Sequence, residues 1–77
     1  MRKKYDVLVQ TNHSYMSDLM IVESTDSMIF AMHIAADHLD SFDTVKCQIR
    51  VNHTLGRVEC WRTVDLSPLL RKNQING

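Results

Sequence analysis

One stretch of the chain, residues 25–39, carries a sustained helical period, and the segments on both sides of it alternate like strands. Met28, Met32, Ala35 and Leu39 recur at spacings of four, three and four residues, which places them on one side of a helix. Strand-like flanks around one amphipathic helix restrict the possible folds to a few. The pattern predicts that this helix covers one face of a small sheet.

The sequence also predicts how the helix begins and which of its residues lie outside the apolar stripe. Thr25 is predicted as the N-cap, because its hydroxyl can accept a hydrogen bond from an amide one turn further on. Asp26 would then lie in the first turn, where a negative charge meets the positive end of the helix dipole. Phe30 and Ile34 lie on a flank outside the apolar stripe. Either they pack under the N-terminal arm or a hairpin edge, or they form an interface patch for a partner or a second copy.

Four segments have the composition of strands, and short polar segments separate them where turns are needed. The predicted strands are residues 5–10, 18–24, 44–52 and 57–64. Turns are expected at 11–17 and 52–56, a short helical turn at Ser67 and Pro68, and a frayed tail over 71–77. The order ββαββ predicts one α+β domain over residues 1–77. Its sheet would be four-stranded and mainly antiparallel, with the helix on one face.

The second hairpin gives the most detailed prediction. Four small apolar residues of its first strand should point beneath the helix: Val45, Cys47, Ile49 and Val51. If the loop is 52–55, Arg50 lies opposite Arg57 and Lys46 lies opposite Trp61 on the reverse face. Like charges across strands are mildly destabilising, so a sheet that keeps the two arginines together would hold them for a ligand.

The reverse face therefore carries Lys46, Arg50, Arg57 and Trp61, with Thr63 beyond. The predicted partner-binding residues are these first four together with the neighbouring Arg62. Arginine suits phosphate and carboxylate groups, and an exposed tryptophan suits stacking on a base or anchoring an interface. The alternative is a solvated face on which Lys46 rests against the ring of Trp61.

Enzyme chemistry and metal binding have little support in the sequence. The same hairpin register would set Cys47 opposite Cys60, either as a disulfide or as two small apolar side chains, and the second reading is favoured. His33 and Asp37 are four residues apart on the helix, but no third ligand has a useful spacing. We therefore expect no enzyme activity, no metal and no cofactor.

Charge and hydropathy bear on location and partners. The formal net charge is zero, yet the segment 18–43 has six acidic residues and no Lys or Arg, while basic residues dominate 44–62. Such asymmetry makes the molecule dipolar. The N-terminus has no apolar core of a signal peptide, and no apolar run could span a bilayer. A cytoplasmic protein without a membrane partner is expected.

The arrangement of elements resembles that of small phage-encoded inhibitors of bacterial defence, particularly anti-CRISPR proteins. The resemblance rests on the strand 5–10, the passage 21–25 leading to Ala31 and Ala35, and the strand that begins at Thr44. It implies a short sheet that wraps one helix and an exposed surface that blocks a nucleic-acid-guided complex of the host.

Three functions follow as hypotheses. The first is a non-enzymatic inhibitor, in the host cytoplasm, that docks on a protein or ribonucleoprotein complex and occludes a nucleic-acid path. The second is direct nucleic-acid binding by the basic sheet face, which zero net charge disfavours. The third is a self-associating regulatory or structural subunit that uses Phe30 and Ile34 or an open sheet edge as a homodimer contact.

Overall fold

A computed structural model describes residues 3–12 and 19–71 of the chain. The elements are β1 (Tyr5–Thr11), β2 (Met20–Thr25), α1 (Met28–Leu39), β3 (Thr44–Leu55), β4 (Val58–Asp65) and a 3-10 turn (Ser67–Leu69). The predicted α+β fold, with a four-stranded antiparallel sheet and one helix packed on it, is confirmed. The expected turn at 13–17, the start of β2 at Asp18 and the tail at 72–77 lie outside the described residues.

The strands lie in the order β2-β1-β3-β4, and every neighbouring pair is antiparallel. The chain leaves β2 at one edge, passes through α1 and re-enters the sheet as β3 on the other side of β1. The central pair β1–β3 sets Val7 opposite Ile49 and Val9 opposite Cys47. Because paired residues share a face, this register gathers the small apolar side chains on the side that α1 covers.

The core lies between α1 and the middle of the sheet. Val7, Val9, Cys47, Ile49 and Val51 are buried there against Ala31 and Ala35 of the helix. Alanine has the smallest side chain that still favours a helix, so α1 can approach the sheet closely.

The face of α1 that packs on the sheet is rotated by part of a turn from the apolar stripe that the sequence predicted. Ile34 packs against the core, so the prediction that it lies away from the buried face is wrong. Phe30 is 50% exposed, and Met28 and Met32, on the opposite border of the buried face, are 41% and 56% exposed. The proposed interface flank is thereby reduced to Phe30.

The N-cap of α1 is Ser27, and the prediction of Thr25 is wrong. The Ser27 Oγ accepts a hydrogen bond of 3.1 Å from the N–H of Phe30. Thr25 is the last residue of β2 and pairs with Tyr5, so its backbone is extended. Its Oγ1 instead accepts from the N–H of Ser27 at 3.1 Å. Asp26 consequently precedes the helix and contributes no charge to its first turn.

The predicted register of the β3–β4 hairpin is also wrong. The strands continue to a two-residue turn, so Val58 pairs with Leu55 and not with Ile49, six residues earlier in β3. Gly56 opens that turn with φ of +62°, the conformation that a type II′ hairpin turn gives to glycine at its first position. Because the displacement is an even number of residues, each side chain keeps the face that alternation predicted.

The same displacement separates the two cysteines. Cys47 is buried and pairs with Val9, whereas Cys60 is exposed and pairs with His53. Both thiols are free. In the ranges that the structure describes, α1 and the other helical turn fall short of the length and apolar character needed to cross a bilayer.

Candidate functional site

The candidate site lies on the open face of the sheet, opposite α1. Alternation places Asp6 of β1, Arg50 of β3 and Trp61 of β4 on this face, with Ser24 of β2 beside them. A cavity of about 410 Å³ opens among these side chains and is completed by Lys3 and Ile21. All four strands therefore contribute to one concave surface.

Arg50 is the centre of the site. Its Nη2 donates a hydrogen bond of 2.8 Å to Asp6 Oδ2. Its guanidinium group also stacks over the ring of Trp61, with 4.6 Å between Cζ and the ring centroid. A planar cation held by a carboxylate and by an aromatic face loses most of its conformational freedom.

Asp6 is buried, with 6% of its surface exposed. Besides the bond from Arg50, its Oδ1 accepts a hydrogen bond of 2.6 Å from the Ser24 hydroxyl. A buried carboxylate needs such partners, because removing an ion from water costs several kcal/mol unless it is paired. Asp6 and Ser24 thus hold Arg50 in place beside Trp61.

The Nε–H group of Arg50 is a further, buried donor of the site. Within the described residues, the Nε of Arg50 is buried and has no hydrogen-bond partner. Asp6 balances the charge of Arg50, and the Asp26 carboxylate lies 3.5 Å from the Nζ of Lys3, so the cavity presents an aromatic and polar surface with little net charge. Such a surface can receive an apolar or amide-bearing side chain more readily than a phosphate backbone.

Lys46 shares this face but stands apart from the cavity. It pairs with Gln10 of β1 and lies beyond the last paired residue of β4, Asp65. The pKa of Asp65 is lowered, first by the backbone N–H of Ser67 and then by the Ser67 hydroxyl, and Lys46 adds a smaller effect. Lys46 therefore contributes to lowering the pKa of Asp65, at the end of the sheet, and not to the cavity.

Arg57 and Arg62 do not join the predicted cluster. Arg57 follows Gly56 in the hairpin turn, and Thr63, not Arg57, pairs with Arg50. Arg57 and Thr63 are six positions apart, which corresponds to roughly 20 Å of extended strand. Arg62 pairs with the buried Val51, which places it on the helix side of the sheet. The expected repulsion between Arg50 and Arg57 is therefore absent, and Arg50 faces Asp6 instead.

Asp6 is the site residue that sequence reasoning missed. The alternation of β1 already placed Asp6 on the face opposite Val7 and Val9. What the sequence did not reveal was that β1 lies next to β3, because no short loop joins these strands. The available signal was the acidic side chain of Asp6 itself, because a carboxylate within a sheet strand needs a cationic or hydrogen-bonding partner on a neighbouring strand.

The thiols and histidines form no second site. Among residues 3–12 and 19–71, no three His, Cys, Asp or Glu side chains come together as metal ligands would. Burial, with a smaller effect of Asp65, raises the pKa of the Cys47 thiol to about 11. A thiol that holds its proton so tightly is a poor nucleophile.

Comparison of the chain with protein-family models, with curated proteins and with solved structures finds no match. The geometry of the open face is therefore the basis for inferring a function.

Proposed function

We propose that this protein is a non-enzymatic binding protein whose open sheet face docks on a partner protein. The observation that carries the proposal is the stack of Trp61 on Arg50, held by Asp6 at the edge of a concave cavity. Tryptophan and arginine dominate the energetically important positions of protein interfaces. A contact surface that is already ordered loses little entropy when the partner binds.

The electrostatics of the site favour a protein partner over a nucleic acid. Binding to a nucleic-acid backbone needs several unpaired cations along one surface. Here Arg50 is paired with Asp6, while Arg57 and Arg62 lie elsewhere. The formal net charge of zero provides no general attraction to phosphate.

The ionisable pair in the cavity also favours binding over catalysis. A general base must be free to take a proton from a substrate. Asp6 accepts hydrogen bonds from both Ser24 and Arg50, which leaves its two oxygens occupied. In the proposed role this pair is structural and sets the position of the contact residues.

For the class of partner, the proposal follows the resemblance to phage-encoded inhibitors of bacterial defence. The partner would be a nucleic-acid-handling protein or ribonucleoprotein complex of the host, and the bound protein would occlude its nucleic-acid path. Occlusion by a small rigid domain needs no chemistry from the inhibitor.

Affinity capture from a bacterial host lysate tests this function. Ile21→Glu places a charge in the cavity and leaves both Asp6 and Arg50 in the sequence. Trp61→Ala removes the ring that stacks on Arg50. Ile29→Glu is the matched control, because Ile29 is 72% exposed on the helix, away from the cavity. We expect both cavity variants to lose a captured nucleic-acid-handling complex that the wild type and the control retain.

Equal capture by all four proteins would reject the open face as the docking surface. A gel-shift titration of the purified protein against single-stranded and double-stranded nucleic acid tests the second hypothesis, direct nucleic-acid binding. Binding that weakens steeply with salt would favour direct nucleic-acid recognition over the proposed protein partner.

A further inference from the structure

The outer edge of β4 is unprotected. No other strand of the described chain pairs with its outer side, and its pairing with β3 runs from Val58 to Asp65 without a bulge. The opposite edge differs, because the register of β2 shifts between Val7 and Leu8 of β1 and makes Val22 an extra residue. Bulges and covering helices are the usual protection of sheet edges, and β4 lacks a bulge.

An apolar groove runs beside β4 on the helix side of the sheet. The helix packs across β1, β2 and β3, and a cavity of about 370 Å³ lies between it and β4. Its walls include Met28, Met32 and Leu39 of α1, and Val64, Leu66 and Leu69 from β4 and the segment after it. Apolar walls of this kind favour an apolar occupant.

The tip of the β3–β4 hairpin carries two exposed apolar residues on that same side of the sheet. Leu55 is 73% exposed and Val58 is 62% exposed, and they form the pair that closes the turn. Among the described residues the pairing of β1 with β3 stops at Tyr5 and Val51, so the hairpin extends past the rest of the described sheet. A two-stranded extension is marginally stable unless something packs on it.

We propose that β4 pairs with β4 of a second copy of this chain, antiparallel, around a two-fold axis through Trp61. This axis is perpendicular to the sheet, so both helices remain on one side and residues that share a face stay together. Val58 then lies opposite Val64 of the second copy, Cys60 opposite Arg62, and Glu59 opposite Thr63. No two like charges face each other in this register.

The neighbouring registers fit less well. Moving the axis to Arg62 sets Arg62 against its own copy and Glu59 against Asp65, which are like-charge pairs. Moving it to Cys60 sets Val58 against Arg62. The register around Trp61 is therefore the one that charge and hydrophobicity select.

This register also brings the hairpin tip of one copy to the groove of the other. When Val58 lies opposite Val64 of the second copy, the turn at Gly56 is level with Leu66. Leu55 and Val58 then reach the mouth of the groove, where Leu66 and Leu69 lie. The two-fold axis repeats this contact, so both hairpin tips and both grooves are covered.

Sedimentation equilibrium under reducing conditions tests the dimer. Cys60 is exposed, so it can be replaced without disturbing the core. Cys60→Glu introduces an attractive pair with Arg62 of the second copy, whereas Cys60→Arg introduces a repulsive one. We expect the dissociation constant of the dimer to fall about tenfold for Cys60→Glu and to rise about tenfold for Cys60→Arg. The effect is that of two pairs, because the two-fold axis places residue 60 of each copy opposite Arg62 of the other.

A second pair of variants tests the hairpin tip. Leu55→Ser removes the apolar tip residue and should weaken the dimer, and the control Ile29→Ser removes an equally exposed apolar residue from the helix and should not. A monomeric wild type at millimolar concentration would overturn the proposal. So would equal weakening by Cys60→Glu and Cys60→Arg, or by Leu55→Ser and Ile29→Ser. The proposed partner-binding face is tested separately, by capture with Ile21→Glu, because Ile21 lies on β2, away from the proposed dimer contact, whereas Trp61 lies on its axis.

Discussion

Asp6 and Arg50 lie directly opposite each other on β1 and β3, and a bond of 2.8 Å joins Arg50 Nη2 to Asp6 Oδ2. The pair links residues 44 positions apart in the chain. It supports both the central strand pair and the stack of Arg50 on Trp61, so it connects the stability of the sheet to the geometry of the open face.

Replacing Asp6 should therefore destabilise the protein. Asp6→Ala leaves the partly buried guanidinium without its carboxylate, and we expect the free energy of unfolding to fall by about 2 kcal/mol. Asp40→Ala is the control, since the Asp40 carboxylate is exposed and lies 3.5 Å from Arg71, and such surface pairs contribute under about 1 kcal/mol. Urea unfolding measures both. Equal losses would show that the Asp6–Arg50 pair has no special role.

Removing the Ser27 hydroxyl should weaken the start of α1. Ser27→Ala deletes the acceptor for the Phe30 N–H, and we expect a loss of about 1 kcal/mol in urea unfolding. Thr25→Val is the comparison, because it removes the Thr25 hydroxyl and keeps a strand-favouring shape. A larger loss in Thr25→Val than in Ser27→Ala would contradict the assignment of Ser27 as the N-cap.

The positive φ of Gly56 should make the hairpin sensitive to the chirality of a side chain there. No atom lies within 4 Å of the position that a Cβ would occupy, so the cost of Gly56→Ala is conformational and not steric. We expect Gly56→Ala to lower the free energy of unfolding, measured by thermal denaturation, by about 1 kcal/mol. D-alanine at the same position, introduced by chemical synthesis, favours positive φ and should preserve stability. Equal effects of the two would contradict the turn geometry.

The two thiols should differ in reactivity. Cys60 is exposed, whereas Cys47 is buried and burial raises its pKa to about 11. We expect iodoacetamide at mildly alkaline pH to label Cys60 in the folded protein and to reach Cys47 only after unfolding in urea. Mass spectrometry of the digested protein locates the adducts. Comparable labelling of both cysteines in the folded state would be inconsistent with the buried position of Cys47.

Cys47 should also make the stability depend on alkaline pH. The folded protein holds the Cys47 proton more tightly than the unfolded chain, whose thiol has the ordinary pKa of 9.0. Its contribution to stability is complete below that value and is lost as the pH rises towards about 11. In urea titrations across this range, Cys47→Ala should show a shallower decline than the wild type. Identical slopes would count against this linkage.

Several features followed from the sequence because they depend only on local period. Alternation in β3 identified Cys47, Ile49 and Val51 as inward residues. Val45, predicted with them, lies at the register shift between β1 and β3 and is only partly buried. The helical period located α1 and its last residue, Leu39, but set the N-cap two residues too early. Phe30 is half exposed, whereas Ile34 is partly buried against the core. Their different surroundings show that a weakly amphipathic helix does not reveal the direction of its buried face.

Only the tertiary structure determined the pairing of strands. An antiparallel strand can slide by an even number of residues without turning any side chain to the other face, so alternation determines the face and leaves the register open. The two-residue turn at Gly56 decided the register and carried Arg57 away from Arg50, whereas Arg62 lies on the helix side of the sheet in either register. The neighbour relation of β1 and β3 brought Asp6 to Arg50, because that pair depends on packing beneath α1 and on no local signal in the chain.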